Sequence, residues 1–315
     1  MSLIHDVSFD STTRVLSLLN KAGNVISSCE VPSKEVDDPK KPLMLRAIED
    51  NASVSLNRYG GNLSNKYQTS KDGITWKGYD IGTLISLNKG ESVYFRCSDH
   101  PTTQESTKYV NFHMTGKIEA WHNAYSMISS SFTYTWYNVG PFGMANLFSG
   151  CESLTKAPLL LNALANDCYY EMFFRCKSLT KAPVLPATTL SSSCYERMFY
   201  GCQSLAEAPE LPATTLKHSC YKSMFYGCQS LTKAPELPAT TLDYYCYDSM
   251  FYGCRSLKEV RIAATTTASF ALYNWLYNVS ATGDFYCDPN AKIFPSDASG
   301  IPANWRRLNI NDYPN

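Results

Sequence analysis

The chain has 315 residues, enough for two or three modules and a sizeable core. Its 28 basic and 28 acidic residues balance, which argues against a surface that binds nucleic acid or an anionic membrane through bulk charge. The sequence contains no run of 18 apolar residues, so we expect no membrane insertion.

The first third of the chain has a β-type texture. Residues 1–32 contain short β-like runs and predict a small N-terminal β element, and the charged, proline-bearing stretch 33–42 predicts a linker. Residues 43–115 alternate apolar and polar positions between turn signals such as Asp72-Gly73, which predicts an all-β, sandwich-like domain. The N-terminus lacks the basic start and apolar stretch of a signal peptide.

Three nearly identical blocks of 26 residues begin at Cys168, Cys194 and Cys220. Self-similarity at this period predicts repeats that stack, because one block is too small to bury its own apolar face. We expect the repeats to occupy residues 147–267. An N-terminal cap at 116–146 and a C-terminal cap at 268–315 would cover the two apolar ends of the stack.

Each repeat shows an apolar spacing typical of a short helix. In the repeat 220–245, the spacing i, i+1, i+4, i+5, i+8 is occupied by Cys220, Tyr221, Met224, Phe225 and Cys228. This pattern predicts about two turns of α-helix. A very short parallel strand should follow, because Pro235 and Pro238 lack the N–H group that a strand ladder needs.

Eight of the twelve cysteines follow the repeat in two series. The first series is Cys168, Cys194, Cys220 and Cys246, and the second is Cys176, Cys202, Cys228 and Cys254. The favoured interpretation is a structural ladder of buried thiols that act as small apolar residues. Disulfides between stacked equivalents and a ladder of metal sites are the alternatives.

Two positions of the repeat change their chemistry while the surrounding frame stays fixed, which makes them candidate ligand-binding positions. They carry Lys181, Glu207 and Lys233 before the strand alanine, and Val184, Glu210 and Glu236 after the strand proline. The alternation of charge at the first position predicts ion pairs between neighbouring repeats. Neutral drift at tolerant surface positions would give the same variation.

Motifs for catalysis are absent from the sequence. It contains no GxSxG, HExxH, phosphate-loop or GxGxxG pattern, and its five histidines are scattered. We therefore expect no catalytic residue, no cofactor and no metal site. An enzyme of unrecognised type stays open as an alternative, and it would need a histidine and a carboxylate beside an exposed thiol.

The motifs MFYGCQSL (198–205 and 224–231) and APELPATTL (208–216 and 234–242) resemble the BspA-like leucine-rich repeats of surface proteins from Bacteroidetes. The resemblance is specific over residues 144–267 and looser on both sides. It implies a multidomain fold, in which an N-terminal all-β sandwich-like module precedes a short right-handed β/α leucine-rich-repeat solenoid with caps.

The resemblance also implies a function. We expect a non-enzymatic, monomeric adhesion or recognition module at the cell surface or outside the cell, whose partner is a host or microbial surface protein or glycan. The alternative is a structural protein of a phage tail or cell envelope that has no soluble ligand.

Overall fold

A computed structural model describes residues 6–10, 15–19, 25–30, 36–60, 66–98, 109–128, 141–160, 164–295 and 299–313. The chain divides into two compact parts, residues 1–37 and residues 38–315. The expected linker 33–42 and the expected cap 116–146 fall partly outside the described residues.

The described residues of the first part form an antiparallel sheet with the order β1-β2-β3. Its strands are β1 (Asp6–Asp10), β2 (Val15–Leu19) and β3 (Val25–Glu30).

The second part contains fourteen described strands and two short 3-10 helices. The strands before the repeats are β4 (Met44–Ala47), β5 (Ala52–Tyr59), β6 (Tyr67–Ser70), β7 (Lys77–Tyr79), β8 (Ile85–Leu87), β9 (Ser92–Cys97), β10 (Tyr109–Thr115) and β11 (Ile118–Trp121). The later strands are β12 (Leu154–Lys156), β13 (Thr241–Leu242), β14 (Glu259–Arg261), β15 (Thr266–Thr267), β16 (Gly283–Cys287) and β17 (Trp305–Asn309). The 3-10 helices are η1 (Ala124–Met127) and η2 (Ile310–Asp312).

Two described sheets occupy the region before the repeats, with the strand orders β10-β5-β8 and β12-β11-β4-β9-β6-β7, and β12 extends the second sheet into the first repeat. All their pairs are antiparallel except β11 with β12. Phe95 of one sheet packs edge-on against Phe112 of the other, with 5.0 Å between ring centroids. Phe112 then stacks on Phe148 of the first repeat at 5.3 Å, so the core of the sheets continues into the core of the repeats.

The β/α solenoid expected for the repeats is wrong, because no α-helix occurs among the described residues. The segment 219–228, which we call the turn segment of its repeat, is a series of tight turns. Its alternate N–H groups donate to the following repeat: Tyr221 to Cys246, Ser223 to Asp248, Phe225 to Met250 and Gly227 to Tyr252. The N–H groups between them donate to the carbonyl three residues back: Met224 to Tyr221, Tyr226 to Ser223 and Cys228 to Phe225.

Backbone angles explain why this segment does not become helical. The φ angle is positive at Ser219 (54°), Ser223 (52°) and Gly227 (70°), and a right-handed helix requires negative φ throughout. A positive φ at the third residue of a turn is the signature of type II turns. The apolar spacing of four residues that predicted a helix is equally satisfied by turns that recur every four residues.

Aromatic ladders fill the interior of the stack. One ladder of parallel rings, with centroids 5.6–5.7 Å apart, consists of Phe148, Phe173, Phe199, Phe225 and Phe251. A second, at 5.8–6.0 Å, consists of Tyr169, Tyr195, Tyr221 and Tyr247. Trp275 packs against the last ring of both ladders and is fully buried. The parallel sheet β14-β16-β17 follows at the C-terminal end.

Candidate functional site

Each repeat continues from its turn segment into a strand segment, represented by residues 205–213 and 231–239. In the first of these, Leu205, Leu211 and Ala213 point into the core and are at most 3% exposed. Pro209 and Pro212 contribute no N–H group, so pairing between repeats is limited to isolated bridges and short ladders. Between the inward positions, Glu207, Glu210 and Pro212 are exposed on the surface, whereas Pro209 is buried.

Pairing along the strand segments is uneven. Segment 231–239 is tied to the following repeat, where Ala234 N–H donates to Glu259 and Leu237 N–H donates to Arg261. Between residues 203–216 and 229–242, by contrast, a single backbone hydrogen bond forms in the described structure, from Ser230 N–H to the Gln203 carbonyl. The strand segments of these two repeats therefore meet at a seam that few hydrogen bonds close.

A groove of about 980 Å³ opens at this seam. We call it the strand-face groove, and its lining residues are Ala206, Glu207, Ala208, Pro209, Glu210, Leu211, Pro212, Thr232, Lys233, Ala234, Pro235, Glu236, Pro238, Arg261 and Tyr313. Its volume lies at the upper end of the range that is typical of ligand sites. Prolines, alanines and one leucine supply an apolar floor, and charged side chains stand above it.

The cations of the groove are already engaged by neighbouring carboxylates. Lys233 lies 3.0 Å from Glu259, and the Arg261 guanidinium donates to the Glu236 carboxylate. Glu207 and Glu210 are exposed, and in the described structure neither forms an ion pair. The groove therefore presents two uncompensated negative charges.

Tyr313, near the C-terminus, closes one end of the groove. Its hydroxyl donates to Glu259 at 2.6 Å, and its ring centroid lies 4.8 Å from the Lys233 ammonium and 4.6 Å from the Arg261 guanidinium. The hydrogen bond with Tyr313 and the ion pair with Glu259 raise the pKa of Lys233 above its usual value, which keeps this side chain cationic.

Four of the six candidate binding residues from the sequence lie together in this groove, and two do not. Glu207, Glu210, Lys233 and Glu236 line it, whereas Lys181 and Val184 are exposed one repeat earlier and outside it. The ion pair expected between neighbouring repeats forms for Lys233 with Glu259, while Lys181 and Glu207 are joined by a backbone bridge.

Sequence reasoning missed Arg261 and Tyr313. Arg261 follows Glu236 in register, since Leu237 bridges Ile262, so a longer alignment of the repeats would have found it. Tyr313 lies 52 residues beyond Arg261 in sequence, and no repeat pattern indicates that it returns to this surface.

The eight cysteines of the two series are all buried, and none is joined in a disulfide. In the second series each thiol donates to a phenylalanine carbonyl of the preceding repeat, as Cys228 does to Phe199 at 3.2 Å. Burial raises the pKa of the Cys168 and Cys220 thiols to about 12, so both stay protonated and unreactive near neutral pH.

No group of three potential metal-ligating side chains converges in the part of the chain that the structure describes. Within those same residues, no helix has the length and apolar character that crossing a membrane requires.

A family model, described as the BspA type leucine rich repeat region, matches the chain in six copies. The matches cover residues 120–248 and 172–280, which together make up half of the chain. No curated protein and no solved structure matches the sequence.

Proposed function

The chain belongs to the BspA-type leucine-rich repeat family, and from this premise we propose that it is a non-enzymatic recognition module that binds a protein partner in the strand-face groove. The family indicates a protein-interaction or surface module and is generally non-enzymatic. The observation that carries the proposal is the groove at the seam, where an apolar floor lies beside exposed charges.

The buried thiols are compatible with a location at the cell surface or outside the cell. Exposed cysteines would be oxidised in such a compartment, whereas thiols in the core of the stack are shielded from oxidants and from partner thiols. Members of the family are typically surface-associated, and we propose the same location for this protein.

A steric block tests where the partner binds. Peptides that bind the full chain would be selected from a random display library. Their affinity would then be measured for two variants, Glu210→Trp and Val184→Trp. The second places the same side chain at the equivalent position of the preceding repeat. We expect Glu210→Trp to weaken binding roughly tenfold or more, because the indole fills the groove. Val184→Trp should bind like the unmodified chain, since Val184 is 71% exposed and lies outside the groove.

Unchanged binding by Glu210→Trp would place the recognition surface elsewhere and contradict the proposal. Circular dichroism of both variants would verify that the repeats remain folded.

A further inference from the structure

At the seam, the turn segments and the strand segments of the two repeats are held differently. The turn segments of the repeats 194–219 and 220–245 are bonded throughout, for example from Tyr195 N–H to Cys220 and from Phe199 N–H to Met224. Their strand segments share a single backbone hydrogen bond, from Ser230 to Gln203. The turn segments therefore fix the spacing of the two repeats. The strand segments form the two sides of the groove, which we call the lips 206–212 and 232–238, and a side chain can enter between them.

The two lips differ in whether their charged side chains form ion pairs. On the lip 232–238, each charged residue has a partner of opposite charge outside the lip, because Lys233 pairs with Glu259 and Glu236 pairs with Arg261. On the lip 206–212, Glu207 and Glu210 are the only charged residues that line the groove. An occupant of this groove thus meets carboxylates on one lip and neutralised pairs on the other.

The neighbouring repeats show that this arrangement belongs to the seam. At the positions equivalent to Glu207 and Glu210, the preceding repeat carries Lys181 and Val184, neither of which lines the groove. Among the carboxylates that line the groove, Glu236 forms an ion pair, whereas Glu207 and Glu210 form none.

We infer that the strand-face groove binds an extended protein segment through lysine or arginine side chains, which pair with Glu207 and Glu210. Charge complementarity selects this occupant, since an acidic segment would be repelled and an uncharged glycan would leave both carboxylates without a counter-ion. Arginine suits the site best, because its planar guanidinium can donate two hydrogen bonds to one carboxylate. This inference rests on the proposed function and adds the chemistry of the ligand to it.

The test uses a labelled, unstructured nonapeptide with arginine at three alternate positions, together with two matched peptides that carry glutamine or glutamate there. Binding to the full chain would be followed by fluorescence anisotropy at low and at moderate ionic strength. The variant is Glu207→Gln with Glu210→Gln. The control is Asp80→Asn with Glu152→Gln, which removes the same charge at residues outside the groove.

We expect the arginine peptide to bind more tightly than the glutamine peptide and the glutamate peptide to bind least. Each neutralised groove carboxylate should weaken binding of the arginine peptide by about fivefold, the upper range for an exposed ion pair. Added salt should weaken it further in the unmodified chain, while the control pair should stay within about twofold.

Equal binding by the groove variant and the unmodified chain would overturn the inference, as would a preference for the glutamine or the glutamate peptide. The inference can also fail while the proposed function holds. If Glu210→Trp abolishes binding of library peptides while the glutamine variant retains it, the groove is the site and its ligand is not cationic.

Discussion

At the scale of single residues, backbone angles decide what the turn segments tolerate. Every fourth residue of a turn segment has a positive φ, and Gly201, Gly227 and Gly253 occupy the last of these positions with angles of 70–73°. Other positions force larger residues into the same conformation, including Ser223 at 52°. A left-handed conformation costs a residue with a Cβ atom about 1–2 kcal/mol. The positions with positive φ that are not glycine therefore lower the stability of the stack.

At these positions, replacing glycine by alanine and replacing serine by glycine should therefore change the free energy of unfolding in opposite directions. Gly227→Ala should lower the free energy of unfolding by about 1 kcal/mol, whereas Ser223→Gly should raise it by roughly 0.5 kcal/mol, because glycine adopts positive φ without strain but loses more chain entropy. The measurement is urea unfolding followed by circular dichroism.

Ser204→Gly is the matched control, since Ser204 is exposed and does not have a positive φ. This variant should lose stability, as glycine substitutions ordinarily do. A loss of similar size for Ser223→Gly would contradict the argument from backbone angles.

At the scale of structural elements, the turn segments present two kinds of aromatic ladder. The inner ring of Phe225 is fully buried between Phe199 and Phe251. The adjacent Tyr226 belongs to an outer, partly exposed ladder and stacks on Tyr200 at 4.4 Å and on Tyr252 at 4.5 Å. Stacking is tighter in the outer ladder, but the larger apolar area is removed from water in the inner one.

Alanine substitutions at these adjacent residues separate burial from stacking. Phe225→Ala should reduce the free energy of unfolding by about 3–5 kcal/mol, because a cavity is left in a packed core. Tyr226→Ala should reduce it by about 1 kcal/mol, near the value of an aromatic pair beyond its buried area. Losses of equal size in thermal or urea unfolding would show that ring stacking, and not burial, stabilises the stack.

At the scale of the whole molecule, the buried thiols make stability depend on pH. Burial raises the pKa of the Cys168 and Cys220 thiols from 9.0 to about 12, and the other thiols of the two series are also raised by burial. Between pH 9 and pH 12 the unfolded chain loses thiol protons that the folded chain retains. Their contribution to stability is therefore complete below pH 9 and is lost as the pH rises.

We expect the free energy of unfolding to fall above pH 9 by about 1.4 kcal/mol per pH unit for each such thiol. Because burial raises the pKa of all eight thiols, their effects on stability have the same sign and stability should fall progressively above pH 9. Cys220→Ala should be less stable near pH 7 and lose stability less steeply above pH 9, since one titrating group is gone. A flat profile between pH 9 and pH 11 would contradict the buried-thiol account.

The sequence by itself determined that the repeats stack and which residues face the core. The period of 26 residues and the apolar positions it fixes, such as Met224 and Phe225, are properties of the sequence, because any stacked arrangement must bury these side chains. The family was accessible from the same repeat pattern, whereas the role of the six candidate binding residues stays a prediction.

Only the tertiary structure decided the local conformation and the site. Cys220, Met224 and Cys228 share one face both in a helix and in turns that recur every four residues, so spacing alone could not choose between them. The choice follows from hydrogen bonds between repeats, which compete with the local bonds of a helix. The groove likewise depends on the seam and on Tyr313, which reaches Lys233 and Glu259 from the end of the chain, and contacts over such a distance in sequence arise only when the chain is folded.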